Sequence, residues 1–249
     1  MLKKIRKQNV LLEIILLIYN KEDDNYRIQN ISNCLKKIYN SYFKDFGLTI
    51  LNNGTGKQTQ KIINYYLSNN NNITYIESNK NLGIVNGRNK AYEIIDNFLD
   101  YKYIFIMDDD QFLHKNTLEK YINNMYRWDI IGTEGWILEE KSFLPLKRNR
   151  NKEGFHYVGC GGAIIKKYVI DDIGLYDNNF SPMYFEDPDF CIRACHLRDY
   201  KMACDLDSKI IHNSVNTLKG DKKIFFKKSM QYFQQKWNTI KLKKFYNYI

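Results

Sequence analysis

Proline is scarce in this 249-residue chain, three in all, and no Pro/Gly/Ser-rich stretch interrupts it. A flexible hinge between independent domains is therefore not expected. The five cysteines are an odd number without C-x-x-C spacing, which argues against a disulfide framework or a zinc site and predicts reduced, mostly buried thiols. No apolar run is long enough to cross a bilayer. The longest, residues 10–18, is interrupted by Glu13, whereas a span needs roughly 20 residues. That run leads into Tyr19-Asn20-Lys21-Glu22 rather than into small residues of a cleavage site, so a cytosolic chain is expected. Neither a dinucleotide fingerprint nor a G-x-x-x-x-G-K-[ST] loop occurs, which leaves nicotinamide and P-loop ATP chemistry unsupported.

The composition that remains, 44% hydrophobic and 15% aromatic, is that of a globular protein with a large core. The net charge of +10 belongs to the two ends, because Lys3, Lys4, Arg6 and Lys7 open the chain and nine lysines stand in residues 218–249, leaving the middle slightly acidic. A nucleic-acid enzyme would line a central groove with Lys and Arg. Basic ends interleaved with aromatics suit an anionic membrane surface or a solvated edge.

Strand candidates at 11–18, 48–51, 73–77 and 103–107 alternate with segments of helical periodicity at 24–41, 57–68 and 84–98, which predicts four parallel strands joined by three crossovers. The second half, with strands expected at 130–139, 142–146 and 157–165 and helices at 166–172 and 187–198, reads as an α+β addition. One compact unit with two lobes is the expectation. Residues 222–240 form an amphipathic helix on a wheel, with Phe225, Tyr232, Phe233, Trp237 and Ile240 on one side and Lys223, Lys227 and Gln234 opposite. Such a helix either packs on the domain or docks reversibly on anionic lipid.

Asp108-Asp109-Asp110 directly follows the fourth strand, where ligands of open α/β sheets bind. Residues i and i+2 of an extended segment point the same way, so Asp108 and Asp110 can share a divalent cation, and three adjacent carboxylates repel unless something positive sits among them. The alternative is an acidic turn capping the next helix through Asp110 or Asn116. In Phe185-Glu186-Asp187-Pro188-Asp189, Asp187 reads as N-cap and Pro188 as first helical residue, yet capping leaves a third acid unexplained. One carboxylate held ionised at that helix start can serve as a general base. His212, after an apolar strand, is either a structural histidine or a ligand that joins the carboxylates and favours Mn²⁺ over Mg²⁺. His114, His156 and His196 read as structural. The loops Asn81–Asn89 and Val158–Ala163 bring glycines that let backbone approach a ligand, and Arg88 offers planar donors to a phosphate or base edge.

Taken in order, these pieces resemble the inverting family 2 glycosyltransferases with a GT-A fold, from about Leu12 to Trp237. Tyr19-Asn20 is similar to the end of that family's first strand, and Asn52-Asn53-Gly54-Thr55 to its nucleotide-contacting loop, with Asn52 standing where an Asp is usual. Asn81–Asn89, containing Gly83 and Arg88, resembles its N-x-G…R-N segment, the triple Asp its D-x-D motif, and Gly161-Gly162 its acceptor-side glycines. Glu186-Asp187-x-Asp189…Arg193-Ala194 resembles its E-D-x-D…R-A helix, and His212 stands where many members keep a metal-binding His.

The resemblance implies a GT-A α/β fold, a Rossmann-like nucleotide-sugar half at about 10–110, a smaller acceptor half at 111–217, and a basic aromatic helical extension at 218–249. It implies a metal (Mn²⁺ or Mg²⁺) on Asp108, Asp110 and His212, and a nucleotide-diphosphate sugar, UDP-sugar favoured, contacted by Asn20, Asn52, Asn53, Gly83, Arg88, Asp108, Asp109, Gly161 and Gly162. Asp187 becomes the base for inverting transfer, with Glu186, Asp189, Arg193 and Trp136 on the acceptor side. The acceptor would be a glycan, a lipid-linked oligosaccharide or a protein, with peripheral membrane contact through the C-terminus and no nucleic acid. A nucleotidyltransferase, an inactive sugar-nucleotide binder and an RNA-binding protein remain as alternatives.

Overall fold

The computed structural model describes residues 2–149, 153–207, 209–213 and 220–249. Its centre is β2 (Leu12–Asn20), whose near-continuous apolar run is buried on both faces, as a central parallel strand requires. Parallel to it lie β3 (Phe46–Thr55) and β5 (Tyr103–Asp108), and β3 in turn pairs with β4 (Ile73–Glu77). The helices α1 (Asn25–Tyr39), α2 (Lys57–Asn69) and α3 (Gly83–Phe98) make the three crossovers, and β1 (Leu2–Lys4) pairs antiparallel on the β4 edge. The period of two along β2 sends Leu12, Ile14, Leu16 and Ile18 to one core with α1 and α2, and Ile15 and Leu17 to a second core with α3. Glu13, the charge inside that apolar run, is fully buried 2.5 Å from Arg6. Burial pushes its carboxyl up to about 7 against the pull of Arg6.

Beyond β5 the chain forms the short β6 (Gln111–Phe112), α4 (Thr117–Asn124), β7 (Ile130–Gly132), β8 (Gly135–Leu138), β9 (Pro145–Asn149), β10 (Tyr157–Val158) and β11 (Ala163–Lys166). After these come α5 (Lys167–Ile173), α6 (Glu186–Cys191), a π turn at Ile192–His196, β12 (Met202–Cys204), β13 (Ile211–His212) and α7 (Asp221–Trp237). The large sheet has the order β1-β4-β3-β2-β5-β11-β7-β12, with β11 antiparallel to both neighbours.

The two longer strands expected at 130–139 and 157–165 each split in two. Their first and last thirds serve different sheets: β7 and β11 extend the large sheet, while β8 and β10 join β9 in a small antiparallel one. The breaks meet, Gly159 N–H donating to Glu134 O at 3.0 Å. The strand expected at 142–146 begins only at Pro145, after a turn in which Phe143 has φ +56°. The helix expected at 187–198 starts one residue early and loosens into the π turn, so Phe185 occupies the N-cap position, and Asp187 and Pro188 lie within the helix. Asn116 stands at the N-cap position of α4 without a side-chain capping bond.

The C-terminal helix packs on the second core. Phe226, rather than the expected Phe225, reaches it, through rings of Tyr184 and Phe185, and Phe233 is fully buried. Leu218 and Lys219, at the start of the expected extension, lie outside the described residues. Lys236 fixes the helix by pairing with Asp177 and with the fully buried Asp189, each at 2.7 Å, and Trp237 Nε1 donates to Asp189 at 3.1 Å. Burial alone would raise Asp177, but hydrogen bonds from Lys236, Asn179 N–H and Tyr232 outweigh it and draw its carboxyl down to about 2. A depressed carboxyl stabilises the fold above its ordinary pKa, and that contribution is lost as pH falls through the folded value. Lys236→Ala should lower the thermal midpoint at pH 7 by roughly 4–8 °C, equivalent to about 2 kcal/mol. In the parent the midpoint should drop between about pH 4 and pH 2, less steeply in Asp177→Asn.

Candidate functional site

β5 ends in the three consecutive carboxylates, and each meets a partner from a different element. Asp108 Oδ1 accepts from Arg88 Nη2 of α3 at 2.5 Å. Asp109 is buried, accepts from Tyr19 N–H at 3.2 Å and pairs with Arg27 Nη2 of α1 at 3.0 Å. Burial pushes Asp109 up to about 7, against Arg27. Asp110 Oδ1 lies 3.1 Å from His212 Nε2. His212 is raised by this hydrogen bond, with burial opposing.

The strand carrying His212 is placed by pairing with β6, His212 opposite Gln111, while Asn213 N–H donates to Asp110 O at 2.9 Å. Asn30 and Tyr26 of α1 bond Asn213 from outside, so two residues without a motif hold the histidine in place. Asp108, Asp110 and His212 each present a ligand atom within 4.8 Å of the others. Position 161 is glycine, and a Cβ there would stand 2.7 Å from Asp108 Oδ2, so the glycine leaves that oxygen room. Two carboxylate oxygens and one imidazole nitrogen, all partly exposed, fit a divalent cation.

Arg88 is buried, so its guanidinium serves Asp108 and the Tyr176 hydroxyl instead of being open to a phosphate. That hydroxyl in turn stands 3.5 Å from Asp187 Oδ1. Of the three acids of α6, Glu186 and Asp189 are buried and Asp187 keeps partial access to solvent. Asp187 Oδ2 accepts from Cys160 N–H at 3.0 Å, the backbone of the glycine-flanked loop. Burial raises its pKa, with Arg88 and the Cys160 N–H opposing, and burial raises Glu186 as well. Asp189 holds α7 and pairs with Arg193, which also donates to Ile173 O, Gly174 O and Leu175 O at the end of α5. These two residues anchor the lobe. Trp136 on β8 stacks on Tyr157 at 6.3 Å, and Gly162 N–H donates to Ile106 O.

A cleft of about 860 Å³ opens beside the ends of β2, β3 and β4. Lys21, Lys57, Lys61 and Lys80 line it against one acid, Glu77. Asn52 borders it, but its amide nitrogen faces Thr55, Gln60 and Tyr75 at 3.0, 2.8 and 3.0 Å, and its oxygen accepts from Gly54 N–H. Asn20 and Asn53 are likewise engaged in loop bonds, Asn20 to Asp24 and Thr59, Asn53 to Asn81, Leu82 and Gly83. Gly83 has φ +76°, and a Cβ there would meet Pro182 at 2.6 Å. The asparagines shape the cleft while the lysines charge it. Gly54-Thr55-Gly56-Lys57, a glycine turn running into a helix start, was the available signal for those lysines.

A family profile, glycosyl transferase family 2, matches residues 13–174. The chain belongs to glycosyl transferase family 2. A similar protein is an uncharacterized glycosyltransferase of Methanocaldococcus jannaschii, 28% identical over 207 residues, covering 77% of this chain and 66% of that protein. The chain thus spans just under two thirds of that relative's length. Residues 1–349 of S. aureus TarS, crystallised with UDP-GlcNAc, share the fold at a TM-score of 0.60 and 15% identity, over 92% of this chain and 73% of that one. The mannosyltransferase PcManGT from Pyrobaculum calidifontis, in complex with GDP-Man and Mn²⁺, does so at 0.57 and 11%, over 79% and 55%. The mixed sheet of this family 2 chain is thereby a GT-A fold.

Removing one partner of a buried pair leaves the other charge stranded. Arg88→Leu should cost about 2 kcal/mol in urea unfolding, below the roughly 3–5 of a fully buried pair because Asp108 keeps some access to solvent. Adding Asp108→Asn should recover part of the loss. Simply additive losses would show that the pair is not coupled.

Proposed function

We propose that this chain is an inverting glycosyltransferase that moves a sugar from a nucleoside diphosphate, a UDP-sugar by preference, to a hydroxyl of a surface glycan, a lipid-linked oligosaccharide or a protein. The observation that carries the reading is the link from Asp108 of the ligand triad, through Arg88 and the Tyr176 hydroxyl, to the partly exposed Asp187. The TarS complex with UDP-GlcNAc supports the choice of UDP. Residues 10–110 form the donor half, 111–217 the acceptor half, and 218–249 the extension.

The lysine-lined cleft attracts the anionic donor, and Lys57 and Lys61 at the start of α2 add to the partial positive charge of that helix end. Asp108, Asp110 and His212 would hold a divalent cation, Mn²⁺ suiting the mixed oxygen and nitrogen set. Such a cation supplies charge neutralisation to the departing diphosphate. The acceptor hydroxyl loses its proton as it attacks the anomeric carbon from the opposite face. Asp187 Oδ1 takes that proton, since Oδ2 is held more closely by the Cys160 N–H. Burial makes this carboxylate a stronger base than an exposed one. Arg88 pairs with Asp108 and, by its charge, favours the ionised form of Asp187. On the solvent side of α7, Lys223, Lys227, Lys228 and Ile224 are exposed, a face suited to peripheral contact with anionic lipid from a cytoplasmic location.

Asp187→Asn should bind UDP-GlcNAc within twofold of the parent by calorimetry yet lose roughly 10²–10⁴-fold in UDP release. Asp110→Ala should instead lose Mn²⁺ binding. Parent-like turnover by Asp187→Asn would overturn its assignment as base.

A further inference from the structure

Tyr176 lies in the turn after α5, and no motif marks it. Its ring is buried edge-to-face on Phe190, with centroids 6.2 Å apart. Its backbone is clamped by one side chain, because Asn89 Nδ2 donates to Tyr176 O at 2.8 Å and Asn89 Oδ1 accepts from Tyr176 N–H at 3.0 Å. Asn89 adjoins Arg88 on α3, so the same turn of helix that places the guanidinium also places the phenol.

The hydroxyl stands 3.5 Å from Arg88 Nη1 and 3.5 Å from Asp187 Oδ1. A guanidinium only donates, so the phenol oxygen accepts from Arg88 and its single proton is left for Asp187. The chain Asp108–Arg88–Tyr176–Asp187 therefore has one direction. Burial raises the phenol's pKa well above its ordinary value, which keeps the proton in place. With Cys160 N–H on Oδ2 and Tyr176 on Oδ1, both carboxylate oxygens are tethered, and rotation about the last torsion of Asp187 breaks one bond or both.

We propose that Tyr176 is a positioning residue: its hydroxyl, polarised by Arg88, orients Asp187 Oδ1 and holds that carboxylate ready to accept a proton. The inference rests on the assignment of Asp187 as the acceptor-activating base. Through Arg88 it also links the base to Asp108, so the carboxylate beside the diphosphate site and the one that takes the acceptor proton are joined through one buried guanidinium and one phenol.

The test uses the full chain carrying Tyr176→Phe, which keeps the ring and its contact with Phe190, with Tyr92→Phe as control because that hydroxyl bonds Asp171 instead. Two readouts separate this proposal from the reading beneath it. The first needs no substrate: the Asp187 carboxyl, assigned by its loss in Asp187→Asn, is titrated by carbon NMR in Asp-labelled protein. Arg88 of α3, Asp108 of β5, Tyr157 of β10, the Cys160 thiol and the neighbouring Glu186 also face Asp187, and all are unchanged in the variant. Removing a hydrogen bond that favours the charged form must raise the midpoint, so Tyr176→Phe should titrate at higher pH than the parent. The second is UDP release from UDP-GlcNAc with Mn²⁺ and water as acceptor. Its kcat should fall about tenfold in Tyr176→Phe with KM unchanged, and the acid limb of its pH profile should move up. An unmoved Asp187 midpoint, or equal losses in Tyr176→Phe and Tyr92→Phe, overturns the proposal. A raised midpoint in a chain whose parent turns over no sugar nucleotide overturns the transferase reading and, with it, the catalytic purpose of the link.

Discussion

Three carboxylates in succession at the end of one strand are the constraint on which the rest of the site depends. Carboxylates so close cannot all stay ionised without compensation. The fold answers with three partners from three directions: the guanidinium of Arg88 from the helix on one face of the sheet, that of Arg27 from the helix on the other, and the imidazole of His212 from a strand far along the chain. Asp109, turned inward, ties β2 to β5 through Tyr19, which leaves Asp108 and Asp110 grouped with His212. A motif that would repel itself in an isolated peptide thus becomes the point at which both layers and the late strand are joined.

Arg88 has a second task, because the site contains another acid. Asp187 arrives on a short helix entered through two left-handed residues, Tyr184 and Phe185, at φ +78° and +66°. That helix is held from behind by Asp189, Arg193, Lys236 and Trp237. The basic C-terminal helix is therefore part of the support for the helix that carries Asp187. Its apolar face meets the core, and its lysines other than Lys236 remain outward or half-exposed.

The parallel half was legible because buried central strands give long apolar runs and crossover helices give a clear 3.6-residue period, as in β2 and α1. The splits of β7 from β8 and of β10 from β11 were not, since a run of apolar residues looks the same whether it serves one sheet or two. Motif positions were legible for Asp108, Asp110, His212 and Asp187, which the fold brings to one region. Partnerships were not. The amide nitrogen of Asn52 and the two terminal nitrogens of Arg88 are engaged by Gln60, Tyr75, Asp108 and Tyr176, and residue type alone does not say which neighbour takes a donor. Tyr176 and the cleft lysines belong to no motif for the same reason, being ordinary residues made significant only by where the chain folds back.

The most direct test of the central claim is to incubate the protein with a panel of sugar nucleotides, with Mn²⁺ and with chelator, and to follow release of nucleoside diphosphate. The account predicts slow, metal-dependent hydrolysis of one donor, a UDP-sugar, abolished by chelator. Failure of every sugar nucleotide either to turn over or, in the presence of Mn²⁺, to raise the thermal midpoint would contradict it.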